Sequence, residues 1–198
     1  MIAKRLMDLA LVIPGLLILL PFFAVTALLI KRDSPGPVFF RQQRVGRMGR
    51  PFAIFKFRTM VEKAEQKGLQ ITVGRDPRIT KTGAWLRRFK LDELPQLINV
   101  LRGEMSLVGP RPEVPRYVDH YPENMRELVL SVPPGITDNA SLVYKDEGKI
   151  LAAQQDPEQH YIQVVLPKKL ALYAEYVRTR TLIKDFTMVV RTVLSLHK

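Results

Sequence analysis

Between Leu9 and Ile30 the chain runs for 22 residues without a charged side chain. Coiled as a helix, such a run rises about 33 Å, enough to cross a hydrocarbon core of roughly 30 Å. The first thirty-odd residues are therefore expected to enter a membrane. A cleaved signal peptide fits poorly, because its apolar stretch is shorter and Ala24 and Ala27 lack the spacing of a cleavage site. The flanks are less usual. A spanning helix concentrates basic residues on one side, whereas Lys4 and Arg5 precede this run and Lys31 and Arg32 follow it. Pro14 and Pro21 interrupt it, and Pro21, near the middle, removes a backbone donor and presses on the carbonyl of Leu17. A kink there would return both basic ends to one headgroup layer. Prolines are also common in helices that span, so charge and proline placement leave spanning and re-entrant arrangements equally open.

The remainder is long enough for one ordinary domain. With 46% hydrophobic residues overall it can bury a core, so global disorder is excluded. Asp33 to Pro37 is a turn-rich exit from the apolar run. Val38 to Phe40 and Pro51 to Phe57 read as short strands, joined by a basic turn over Arg41 to Arg50. Met60 to Lys67 is expected to be a short helix, Gly74 to Pro77 a loop, and Gly83 to Phe89 one or two helical turns. Leu94, Leu97, Ile98 and Leu101 set a helical period over Leu91 to Leu101, with Gly103 as its C-terminal cap. Pro95 then falls in the first turn, and Asp92 reads as the N-cap or its neighbour. Tyr121 to Val132 is mildly amphipathic. Residues 168 to 196 form the longest helical candidate, apolar at Leu170, Tyr173, Val177, Phe186, Val190 and Val193 and basic elsewhere. It is expected to pack partly on the core and partly on anionic lipid.

A net charge of +12 asks for an anionic partner: nucleic acid, an acidic membrane, or a phosphorylated substrate. Aromatics make up 8% of the chain and do not alternate with basic residues, which argues against a stacking platform for single strands. The chain has no cysteine, so disulfides and thiolate metal sites are excluded.

Asp92-Glu93 is the sharpest feature. Two carboxylates at a helix start ordinarily serve as a cap that suits the helix dipole. Their neighbours argue for more. Lys56 and Arg58 lie upstream, Arg87, Arg88 and Lys90 come immediately before, and Arg111 sits between Pro110 and Pro112 downstream. Arginines around a helix N-terminus make an anion site. Two carboxylates there repel phosphate unless a cation such as Mg²⁺ bridges them. Such parts suit phosphoryl transfer, in which an aspartate can serve as nucleophile.

The order of motifs goes further. Lys4-Arg5-x-x-Asp8 precedes the apolar run and Phe40-Arg41-Gln42-x-Arg44-Val45-Gly46 follows it. Then come Lys56-x-Arg58-Thr59-Met60, Leu91-Asp92-Glu93-Leu94-Pro95-Gln96-Leu97, Ser106-Leu107-Val108-Gly109-Pro110-Arg111-Pro112 and Pro134-Gly135-Ile136-Thr137. In this order they resemble, over nearly the whole chain, the bacterial sugar transferase family of small monotopic phosphoglycosyl transferases. The resemblance implies an α+β fold. Residues 1–32 would form a re-entrant membrane helix broken at Pro21. Residues 33–198 would form a catalytic domain on the cytoplasmic face of the bacterial inner membrane. Several helices, some amphipathic at the interface and including the C-terminal one, would surround a short irregular antiparallel sheet.

It also implies the reaction. Asp92 attacks the β-phosphate of a nucleotide sugar, with a uridine sugar expected, and releases the nucleoside monophosphate. The phosphosugar held on Asp92 then passes to polyprenyl (undecaprenyl) phosphate, the first membrane step of glycoconjugate assembly. Glu93 assists at Mg²⁺, which the two carboxylates hold, and Lys56, Arg58, Arg87 and Arg111 neutralise phosphates. Partners are the nucleotide sugar, polyprenyl phosphate and anionic lipid rather than nucleic acid, with a homodimer left open. The rival reading is a membrane-tethered basic nucleic-acid binder, which leaves the Asp-Glu pair unexplained. The chain departs from the family pattern at Leu20, Lys90, Asp138 to Ser141 and Tyr173, and Lys145 to Pro167 reads as an insert that shapes the sugar site. His120, His160 and His197 show no ligand spacing, and Trp85 and Tyr117 are expected as core or interface anchors.

Overall fold

The computed structural model describes residues 2–62, 64, 76–144 and 147–195. The apolar run lies within one helix, α1 (Ile2–Asp33), which continues through both Pro14 and Pro21. Its buried residues are Asp8, Val12, Thr26 and Ile30. Asp8 and Thr26 are separated by 18 residues, five turns, so all four lie on one stripe. Leu16, Phe22 and Phe23 continue that stripe against the core between them. Ile13, Leu17, Ile18, Leu20 and Leu28 are exposed on the other faces.

Both ends of α1 are tied to the same body. The Asp8 carboxylate accepts from Ser106 Oγ at 2.8 Å and Leu107 N at 3.3 Å. Arg5 donates to the carbonyls of Val100 at 2.5 Å and Leu101 at 2.9 Å, in the last turn of a neighbouring helix. At the other end Asp33 accepts from Thr82 N at 2.7 Å.

After α1, β1 (Phe39–Val45) and β2 (Pro51–Phe57) form an antiparallel hairpin in which Phe39 faces Phe57 and Val45 faces Pro51. The expected basic turn over Arg41 to Arg50 is therefore shorter, because β1 runs on to Val45. Gln42 and Arg44 lie on the half-buried side of that strand extension, and without an apolar alternation the strand is hidden in the sequence. Half of the helix expected over 60–67 and half of the loop over 74–77 fall outside the described residues. Within the described part, Met60 makes a single antiparallel bridge to Ile79. Helix α2 (Lys81–Arg88) starts at Thr80, whose hydroxyl accepts from Gly83 N at 3.0 Å. Lys90 then takes a left-handed conformation, φ 54°, and a 3-10 turn spans Leu91–Glu93. Helix α3 (Gln96–Arg102) ends at Gly103, with φ 81°, as expected of a glycine cap.

A parallel pair, β3 (Ser106–Val108) and β4 (Gly135–Thr137), adds to the antiparallel hairpin. Here the backbones approach so closely that a Cβ on Gly135 would strike the backbone of Gly109. Helices α4 (Pro115–Val118) and α5 (Glu123–Leu130) lie between the two strands. They are followed by α6 (Asn139–Val143), α7 (Glu147–Ala152) and α8 (Pro157–His160). A π-type turn over Tyr161–Val165 leads into α9 (Leu166–Thr179), and α10 (Leu182–Ser195) closes the described chain. The single helix expected over 168 to 196 is thus two. Arg180 is extended, and Thr181 Oγ1 accepts from Lys184 N at 3.3 Å to start the second. On α10, Ile183, Phe186, Val193 and Leu194 are exposed while Met188 is buried, an apolar surface of the kind expected at a lipid interface.

Asn99 sets the spacing between hairpin and helices. Buried in α3, it accepts from Phe55 N at 2.9 Å and donates to Ala53 O at 2.8 Å and Glu104 at 2.7 Å. It thereby pairs with the outer edge of β2 as a missing strand would. Replacing it by alanine strands a buried backbone donor and acceptor, which costs about 1–3 kcal/mol per group. Asn99→Ala is expected to lower the thermal unfolding midpoint in detergent by several degrees, whereas Asn124→Ala, on the surface, leaves it within about one degree.

Candidate active site

Four separate pieces of chain bring the charged residues together. Lys56 comes from β2, opposite Phe40, and Arg58 from its end. Arg87 comes from the last turn of α2, Asp92 and Glu93 from the 3-10 turn, and Arg111 from the proline loop after β3. The parallel β3–β4 pair holds that loop, with Gly109 N bonded to Thr137 O at 3.1 Å and Gly135 N to Pro110 O at 2.9 Å.

The two carboxylates are treated differently. Glu93 is gripped from both sides: Lys56 Nζ donates to Oε1 at 2.7 Å, and the Arg111 guanidinium donates to both oxygens in a fork. Burial pushes the Glu93 carboxyl up, but Arg111 and Lys56 outweigh it and hold the group well below the usual carboxylate range. In return Glu93 raises Arg111 above its ordinary value. Lys56 is shifted down by burial, which the neighbouring Glu93 only partly offsets.

Asp92 has no such grip. Among the described residues no hydrogen bond or ion pair holds its carboxylate, and burial together with the adjacent Glu93 raises its pKa, against the pull of Lys56, Arg87 and Arg111. The expectation that Asp92 caps the following helix is corrected here. The left-handed Lys90 ends α2, Asp92 sits inside the one-turn 3-10 segment, and α3 starts at Pro95 without a side-chain cap. A side chain that does not satisfy backbone donors is left to face a cavity.

That cavity measures about 690 Å³. Asp92, Lys56, Arg58 and Arg87 line it, together with Arg41, Arg44 and Arg78. Its apolar wall includes Val38, Phe39 and Phe40, just beyond the exit of α1. Arg58 does double duty, because its guanidinium also donates to the carbonyls of Ser34 and Pro35 and so fixes that exit. Arg87 donates to Thr59 Oγ1 at 2.8 Å and feels Asp92 as its strongest attractive charge. Arg111 lies on the far side of Glu93, outside the large cavity, where it lines a second and smaller one.

Among the described residues no cluster of three His, Cys, Asp or Glu side chains is arranged as a metal cage. The pair itself suits an ion that takes few protein ligands. Asp92 is unclaimed, and three hydrogen bonds on Glu93 leave one of its roughly four lone-pair sites.

Sequence reasoning assigned no role to several groups that the fold adds. Arg44 donates to Pro112 O at 3.0 Å and to Gln42 at 2.7 Å, and lies 3.6 Å from Glu113. Glu113, the residue after the proline loop, is buried and paired with Lys169 of α9. The signal for Arg44 was its place within a motif, and for Glu113 its position directly after one. Nothing local marks Lys169, 56 residues farther along.

The whole chain, residues 1–198, matches the model of the family described as Bacterial sugar transferase. It is 42% identical over 146 residues to a candidate undecaprenyl-phosphate N-acetylgalactosaminyl 1-phosphate transferase of Bacillus subtilis (strain 168), covering 74% of this chain and 80% of that protein. It is 44% identical over 141 residues to the UDP-glucose:undecaprenyl-phosphate glucose-1-phosphate transferase of Escherichia coli (strain K12), covering 70% of this chain and 30% of the relative. With the undecaprenyl-phosphate glucose phosphotransferase of Komagataeibacter xylinus the identity is 39% over 201 residues, covering 98% and 35%. The chain thus spans most of the Bacillus protein and about a third of the other two. These matches, over a carboxylate pair set among converging cations, show that the chain belongs to the bacterial sugar transferase family.

Proposed function

We propose that the protein transfers a sugar phosphate from a uridine diphosphate sugar to undecaprenyl phosphate, through a covalent intermediate on Asp92. One observation carries this reading. Of two adjacent carboxylates, Glu93 is immobilised by Lys56 and Arg111, while Asp92 is unclaimed among the described residues and opens on the large cationic cavity. A nucleophile needs a free lone pair and a neutralised target.

In the first step an Asp92 carboxylate oxygen bonds to the β-phosphorus, and the bridging phosphoanhydride bond breaks. The electron pair leaves on the departing nucleoside monophosphate. In the second, an oxygen of the lipid phosphate bonds to that phosphorus and the acyl-phosphate bond breaks, returning the Asp92 carboxylate. Lys56, Arg58 and Arg87 stand around the cavity to offset phosphate charge, and Arg111 keeps Glu93 in place beside it. When bound by Asp92 and the remaining lone pair of Glu93, Mg²⁺ supplies neutralisation of the diphosphate. A nucleic-acid surface would spread its cations along an open face, whereas here they converge on two carboxylates.

The substrate lipid also fits the placement of α1. Its two ends bond the same body, and one stripe packs along that body while the opposite side is apolar and exposed. That supports a re-entrant helix with both basic ends at the cytoplasmic face. Pro14 and Pro21 are seven residues apart, two turns, and both are exposed. Proline opens the backbone on its own side, so bending at Pro21 would curve α1 around the domain as a kink within a continuous helix.

Mixing the protein with nucleotide sugar alone is expected to release one equivalent of nucleoside monophosphate before any lipid is added. Asp92→Asn should lose that burst by about 10³-fold or more, the scale of a lost catalytic group. A near-normal burst from Asp92→Asn would refute the assignment. Because the nucleophile must be ionised, the rate falls as pH drops through the raised Asp92 pKa. Removing the Lys56 cation, as in Lys56→Met, destabilises the ionised form, so the acid limb of kcat/KM should move to higher pH. The absence of cysteine allows single replacements at Ile2 and Lys31. In sealed vesicles both should react with an impermeant maleimide from the same side, and reaction from opposite sides would mean that α1 spans.

A further inference from the structure

Behind the Glu93–Arg111 fork lies a second cavity of about 190 Å³ that plays no part in the steps above. Its wall includes Arg44, Arg111, Glu113, Glu147, Tyr161 and Lys169. Two of these come from the insert over 145–167, and Lys169 from the helix that follows it. The polar groups form a network: Tyr161 donates to Glu113 at 2.5 Å, and Lys169 reaches Glu147 at 3.0 Å and Tyr161 at 3.2 Å. Lys169 and Glu113 are buried, but the Glu147 side chain is 29% exposed, so the network faces an accessible space.

Its position is informative. Gln42 and Arg44, two apart on β1 and hence on one face, line both cavities and form the partition between them. Arg111 bonds the carboxylate adjacent to Asp92. Asp92 lines the large cavity and Arg111 the small one, so the two cavities adjoin across the carboxylate pair.

Charge narrows the occupant. Arg111 is already neutralised by Glu93, which leaves Arg44 and Lys169 against Glu113 and Glu147 among the described lining residues. The pocket is balanced, polar and about as large as one monosaccharide ring. Carboxylates, an ammonium and a phenol can exchange hydrogen bonds with several hydroxyls, while Leu151 and Val114 offer apolar surface to C–H groups.

We propose that this small cavity holds the sugar ring of the donor, that it selects a neutral sugar over a uronic acid or a free amino sugar, and that Tyr161, Glu147 and Lys169 read its hydroxyls. The assignment rests on the transferase reading and adds a physical advantage to it. Between the two half-reactions the sugar stays in the small cavity, while the large one exchanges nucleoside monophosphate for lipid phosphate.

The test is acceptor-free release of uridine monophosphate from a panel of 4-epimeric donor pairs: UDP-glucose with UDP-galactose, and UDP-N-acetylglucosamine with UDP-N-acetylgalactosamine, plus UDP-glucuronate. The wild type should favour a neutral donor over the glucuronate. Tyr161→Phe and Glu147→Gln should each change the epimer preference of kcat/KM by about fivefold or more, the scale of one neutral hydrogen bond. Inhibition by free uridine monophosphate should stay at the wild-type level, which a merely structural role would not spare. If Tyr161→Phe does not fold, Glu147→Gln, at the more exposed position, decides. Unchanged epimer preference, inhibition that weakens in step with it, or preference for the glucuronate overturns the pocket assignment while leaving the transferase reading intact. Release from no donor at all overturns both.

Discussion

The fork that Arg111 makes on Glu93, completed by Lys56, holds three remote segments in register: the hairpin, the 3-10 turn and the proline loop. Each charge is taken largely out of water, which is costly unless partners compensate it. Removing one partner would leave the others uncompensated. The arrangement is thus stable only when complete, and its completion leaves Asp92, among the described residues, as the carboxylate without a grip. One acid is used up in holding the site together, and its neighbour is spared for the role proposed for it.

The apolar helix α1 belongs to that scaffold as well. Val12 joins the core cluster containing Ile54, Val100 and Met105, while Ile30 packs with Phe57 and Leu86 around the opposite end of the hairpin. The Phe23 and Phe57 rings meet edge to face with centroids 5.1 Å apart, one residue beyond Lys56. The strand that carries Lys56 is therefore packed directly on the apolar helix. Val38, Phe39 and Phe40 continue from that helix to the cavity wall, giving the site an apolar side on which a lipid chain can approach its phosphate.

How much of this was legible in the sequence varied with the physics. The apolar run, the hairpin, the glycine-closed α3 and the Asp-Glu pair with its cations came from local pattern, and the motif order brought in the family. Asp92 was placed at or beside the N-cap of the helix because local chemistry favours that position for an acid, and only the left-handed Lys90 and the 3-10 turn move it away. The extension of β1 was missed because Gln42 and Arg44 face cavities rather than core, so no apolar alternation marks the strand. The division at Arg180 depends on a threonine that starts α10, a weak signal within a continuous amphipathic pattern. The Glu113, Tyr161 and Lys169 network joins residues 48 and 56 positions apart, which no spacing rule detects.

The central claim is that Asp92 alone carries the sugar phosphate between donor and lipid. Intact-mass measurement on protein quenched after mixing with nucleotide sugar, without acceptor, tests it most directly. The account predicts a gain of one sugar phosphate that maps to the peptide containing Asp92, disappears on adding undecaprenyl phosphate, and never forms in Asp92→Asn. Release of nucleoside monophosphate with no mass gain, or a gain that maps to another residue, would contradict it.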